Sequence, residues 1–98
     1  MGRLVVASNM AQELKQVRDE LEKAAKVADD DGLRDDIREH VDAFEDYTVG
    51  DQSPDHALMD EHLNGMRQLS DRAENDTKDH LDSALETAEE YRKGLDQA

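Results

Sequence analysis

The chain has 98 residues, enough for one domain with a single core and too few for a second one built around a deep substrate cleft, so a protein without catalytic activity is expected. Its 26 acidic residues against 12 basic ones give a net charge of −14. Such a surface repels phosphate backbones and anionic membranes, which makes nucleic acid and membrane unsuitable partners.

Hydrophobic periodicity divides the chain into four helical segments. Residues 1–9, MGRLVVASN, carry only the short apolar run Leu4-Val5-Val6-Ala7, too short for the core of a signal peptide, and read as a flexible N-terminal tail. A helix is expected over 10–29, capped by Ser8 or Asn9, with Met10, Leu14, Val17, Leu21, Ala24, Ala25 and Ala28 on one stripe. The second segment, 32–48, has Leu33, Ile37, Val41, Phe44 and Tyr47 as its stripe. If one helix ran straight through Asp29-Asp30-Asp31-Gly32, the two stripes would lie about 140° apart, so a turn is expected there.

The third segment, 54–74, presents Leu58, Met59, Leu63, Met66, Leu69 and Ala73, with Ser53 as the expected N-cap and Pro54 at the first helical position. The fourth, 77–95, presents Leu81, Ala84, Leu85, Ala88, Tyr91 and Leu95. Between them, Asn75 tolerates a left-handed backbone and Asp76, three residues before Asp79, resembles the start of a capping box. The third and fourth stripes differ in phase by only about 40°, which leaves one long helix as the alternative. The expected fold is an all-α, antiparallel up-down four-helix bundle over 10–98; the alternative is three helices with a long C-terminal one, dimeric because its apolar surface needs a partner.

A block recurs once per segment: RDELEKA (18–24), REHVDAF (38–44), DEHLNGM (60–66) and KDHLDSA (78–84). Each places an acid, then Glu or His, before a core aliphatic. Amphipathic helices drawn from a restricted alphabet account for this likeness without duplication of an ancestral helix.

The histidines carry the sequence's one candidate for a site. His40 and His62 fall inside the apolar arcs of their helices, and antiparallel packing of segments two and three puts them at the same height. Glu20, at a similar height on the first segment, completes a conceivable two-His, one-carboxylate triad for zinc or iron. Against it, Asp36/His40, His56/Asp60 and Asp76/His80 are all i, i+4 pairs that satisfy the rings locally. The Glu-x-x-His motif of di-iron bundles is missing, as are HExxH, the P-loop and the EF-hand loop, so no cofactor and no catalytic residue are assigned. Ser53 with His56 reads as capping rather than nucleophilic catalysis, Met59 and Met66 as core, and Gly65 either as a place where a neighbouring helix approaches closely or as a tolerated helix defect. Arg18 and Arg92 are placed to form inter-helix ion pairs.

The absence of cysteine excludes a disulfide framework or thiolate chemistry and makes an intracellular, cytoplasmic location the default. Asp outnumbers Glu, 16 to 10, although it forms helices less well, and only five Lys are present. That balance looks like the surface of proteins from salt-in halophiles. Residue by residue, SPDHALMDEHLNGMRQL followed by SALETAEEYRKGL resembles a group of small haloarchaeal proteins with a Pro-Asp-His start, a His-aliphatic pair and a closing Tyr-Arg. The resemblance runs from Met10 onward, implies a halophilic, cytoplasmic protein and carries over no catalytic residue.

The expected function is therefore a small protein–protein interaction module, with a homodimer possible. Two alternatives belong to other classes: a metal-binding or pH-responsive bundle using His40 and His62, and an acidic nucleic-acid mimic that occupies a basic protein's cleft.

Overall fold

In the computed structural model, the backbone is described for residues 2–49 and 54–97 and the side chains for residues 12–49 and 54–94. Four helices follow one another: α1 (Gly2–Val27), α2 (Asp31–Val49), α3 (His56–Arg72) and α4 (Asn75–Gln97). Each packs on the next and α4 closes back on α1, so the four seams form a ring, of which α1/α4 is the most extensive and α2/α3 the least. Contacts at successive heights run in opposite directions along neighbouring helices: Ala28–Arg34 and Arg18–Glu45 at α1/α2, Asp36–Arg72 and His40–His62 at α2/α3, and Ser70–Asp82, Arg67–Glu89 and Asp60–Arg92 at α3/α4, which leaves α4 antiparallel to α1 as well. This is the up-down four-helix bundle.

The stripes read from the sequence become the core wherever side chains are described; those of Met10 and Leu95 lie outside the described residues. Leu14, Val17, Leu21, Ala24, Ala25 and Ala28 of α1 and its C-terminal turn meet Leu33, Ile37, Val41 and Phe44 of α2. Met59, Leu63, Met66, Leu69 and Ala73 come from the third segment, and Leu81, Ala84, Ala88 and Tyr91 from α4, with Tyr47 and Leu85 partly buried against them. Full burial of each large aliphatic side chain contributes about 1.5–3 kcal/mol. Alanines on both α1 and α4 cost little side-chain entropy and let their helices pack closely. Leu58, expected in the α3 stripe, is instead 40% exposed.

The turns show why the helices stop where they do. The Asp30 carboxylate accepts from the Leu33 amide at 2.7 Å, capping α2, while Arg34 donates to the Ala28 carbonyl at 2.8 Å and covers the open end of α1. At the start of α3 the cap is Asp55, which accepts from the Leu58 amide at 2.9 Å; Ser53 lies outside the described residues. Pro54 therefore precedes the cap rather than following it. It is fully buried, as is Met59 five residues on, the two positions of a hydrophobic staple.

The expected break between the last two helices is present. Ala73 turns extended (φ −91°, ψ 161°), and Asn75 has φ 56°, the left-handed conformation that asparagine tolerates. The long-helix alternative is thereby excluded. At the other terminus α1 is already helical from Gly2, so Ser8 and Asn9 lie within it instead of capping it, and no helix boundary falls between residues 9 and 10.

Candidate functional site

His40, Phe44 and Tyr47 lie one turn apart along α2, and their common face meets His62 of α3. The two imidazoles approach through Nδ1 on both sides, at 3.0 Å, with ring planes 68° apart. The Tyr47 hydroxyl lies 3.0 Å from the other nitrogen of His62, Nε2. Phe44 packs against the His62 ring at a centroid distance of 4.7 Å. The result is a hydrogen-bonded chain from Tyr47 through His62 to His40, crossing the α2/α3 seam.

Gly65 makes the approach possible. A Cβ at that position would come within 3.0 Å of His40 Nε2 and 3.1 Å of Cε1, so the imidazole occupies the space that any other residue would fill. The expected close approach is real, but it is made by a side chain of α2.

Burial governs the electrostatics. His62 is pushed down from 6.5 to about 4, chiefly by desolvation and then by the neighbouring charge on His40. Desolvation also lowers His40, against the opposing pull of Glu39 and Asp36. Tyr47 is raised by burial and by the charges of Asp46, Asp55 and Glu61. At neutral pH both rings are therefore neutral, each with one N–H and one acceptor nitrogen.

Glu20 does not join them. Its carboxylate lies on the α1/α4 seam, 3.1 Å from His80 Nδ1 and 3.7 Å from Lys23 Nζ. The conceivable two-His, one-carboxylate triad is therefore not assembled, and among the described residues no group of three His, Asp or Glu is placed to share a metal ion. Of the local pairs expected for the histidines, Asp36 still acts on His40 and His56 on Asp60 through their charges, while the hydrogen bonds of Asp36, Asp60 and His80 run between helices. Asp36 takes Arg72 of α3 at 2.8 Å, His80 takes Glu20 of α1, and Asp60 takes Arg92 of α4 at 2.7 Å. The hydrogen bond from Arg92 holds the Asp60 carboxyl below its usual range, and the charge of His56 adds to the effect.

Sequence reasoning found the two histidines and missed their supports. Tyr47 and Phe44, the aromatic residues seven and four positions after His40, read from the sequence as core stripe alone. Ser70, buried on α3, went unnoticed as a polar centre: its hydroxyl donates to Asp82 at 2.6 Å and accepts from Lys78 at 3.0 Å, clamping the α3/α4 turn.

Comparison with curated proteins and with solved structures returns no match. The model of one protein family matches residues 10–94, nearly the whole bundle. The chain accordingly belongs to DUF7553, a family of unknown function.

Proposed function

We propose that the protein is a halophilic, cytoplasmic interaction module of haloarchaeal type, without catalytic activity, which binds another protein through one end of the bundle. The observation that carries this reading is the exposure of large aliphatic side chains on a molecule whose surface is otherwise dominated by charge: Val49 (77%) at the end of α2 and Leu58 (40%) in the first turn of α3 share one end of the bundle, and Val27 (42%) lies at the other. Because α1 has 26 residues against 19 in α2 and the two share a turn at their other ends, α1 runs on by about 10 Å past the end that holds Val49.

The dense acidic surface supports the halophilic part. Salt screens the self-repulsion of a chain with net charge −14, so the midpoint of urea unfolding rises from dilute to molar KCl. A midpoint independent of salt would count against that reading.

Affinity isolation from a haloarchaeal lysate at molar salt, with light scattering of the purified chain, tests the module. A retained protein partner that is lost from the double variant Val49→Asp, Leu58→Glu is the expected result. A monodisperse monomer that retains nothing, or a partner retained equally by the double variant, overturns it.

A further inference from the structure

We propose that His40 and His62 form a proton-counting latch on the α2/α3 seam: the pair accepts one proton beyond neutrality with its hydrogen bonds intact, and a second forces α2 and α3 apart. The proposal is independent of the interaction reading above.

The argument starts from the contact itself. Two Nδ1 atoms 3.0 Å apart need one hydrogen between them, with one ring donating and the other accepting. With both rings neutral, two arrangements satisfy the chain. Either Tyr47 donates to His62 Nε2 and His62 Nδ1 donates to His40, or His40 donates to His62 Nδ1 and His62 Nε2 donates to the Tyr47 oxygen.

A first added proton fits both. A doubly protonated His62 donates outward to His40 and to Tyr47, and a doubly protonated His40 donates to His62 as before. A second added proton has no place. It sets two N–H groups head to head and two positive charges on rings whose centroids are 5.2 Å apart.

The charges acting on the pair come from the two helices of the seam. Asp36 and Glu39 of α2 favour a proton on His40, while burial opposes charge on both rings. Asp46, Asp55 and Glu61 act on Tyr47 at the far end of the chain. The His62 value of about 4, depressed in part by a charged His40, agrees with two separate steps. The seam is also the least extensive of the four, and besides this chain the described residues tie it across through the Arg72–Asp36 ion pair at 2.8 Å, half exposed on both sides.

The experiment is NMR on the full, ¹⁵N-labelled chain in molar KCl, following the imidazole nitrogens and amide exchange as pH falls. Expected are a scalar coupling between His40 Nδ1 and His62 Nδ1, two protonation steps with the coupling kept through the first, and at the second a loss of at least about tenfold in amide protection confined to α2 and α3. One independent step for each ring without coupling, or simultaneous loss of protection in all four helices, overturns the proposal. His40→Gln keeps a partner for His62 Nδ1 that does not titrate, so in this variant the seam stays protected through the second step. Opening at the wild-type pH in that variant overturns the latch. Asp36→Asn weakens the seam at every pH but retains the step, and its disappearance would assign the switch to the ion pair instead.

Discussion

Opposite seams of the ring carry two polar pairs at equivalent places in the chain's recurring block. Glu20, His40, His62 and His80 are each the third residue of their block, and the structure joins them as Glu20 with His80 on α1/α4 and His40 with His62 on α2/α3. The residue after each, Leu21, Val41, Leu63 and Leu81, is buried in the core. One layer of the bundle thus has the same architecture on both sides and different chemistry. On α1/α4 an imidazole nitrogen faces a carboxylate oxygen at 3.1 Å, and on α2/α3 it faces a second imidazole at 3.0 Å. Two imidazoles joined through their Nδ1 atoms hold one hydrogen between them, so acid acts against the α2/α3 seam.

The comparison supposes that the apolar layer beneath the two pairs is alike, and the largest predicted effect tests that. Leu21→Ala, Leu63→Ala and Leu81→Ala each remove a side chain no more than 3% exposed and should each cost about 3 kcal/mol through lost transfer energy and a residual cavity. Urea midpoints at fixed salt measure them. A Leu63→Ala loss of less than about half the other two would mean that the less extensive seam collapses around the gap, and that packing as well as chemistry distinguishes the sides.

The next effect is the pH dependence itself. His62 titrates near 6.5 when unfolded and about 4 when folded, so over that window the unfolded chain binds more protons. The stability contributed by the neutral pair is full above 6.5 and is lost as pH falls toward 4. Because the rings are only half-buried, the loss is about 1–2 kcal/mol, discounted for solvent screening. Protonation of surface carboxylates works the other way by relieving self-repulsion, so the measurement is a comparison between variants. His40→Glu gives the α2/α3 seam the chemistry of its opposite, and the pH slope attributable to the pair should reverse sign. An unchanged slope would show that the two seams do not differ in the way their pairs imply.

How much of this was legible in the sequence depended on the range of the interaction. The four stripes followed from a period of 3.6, and the break at Asn75 from a residue that tolerates positive φ. The meeting of His40 and His62 followed from counting heights on two antiparallel helices joined by one loop. Glu20 escaped the same count because height leaves rotation open: α1 turns this residue toward α4, a helix distant in sequence. The i, i+4 pairs Asp36/His40 and His56/Asp60 persist as charge interactions, but the hydrogen bonds went elsewhere for a related reason. Asp36, Asp60 and His80 all lie where a neighbouring helix offers a partner, Arg72, Arg92 and Glu20, that a single-helix reading does not contain. Asp55 displaced Ser53 as the cap since both residue types accept from a helix N-terminus and Pro54 is accommodated either before the cap or after it.

The smallest effect isolates what the α2/α3 seam gives up to hold its pair. Glycine within a helix costs about 1 kcal/mol relative to alanine, and α3 bears that cost at Gly65. Gly94 of α4 bears it too, but a Cβ there meets nothing within 4 Å, so Gly94→Ala should stabilise the fold by about 0.5 kcal/mol, reduced because the helix end is near. At Gly65 the new Cβ lies 3.0 Å from His40 Nε2, and the ring can withdraw only by lengthening its 3.0 Å contact with His62. Gly65→Ala should therefore bring no gain in the wild-type chain and its full gain of about 1 kcal/mol once His40→Ala has removed the ring. A double-mutant cycle on urea midpoints reads that coupling directly. Additive effects would mean that the His40 ring moves aside at no cost, and that the glycine is a tolerated helix defect rather than the space in which the imidazole pair is held.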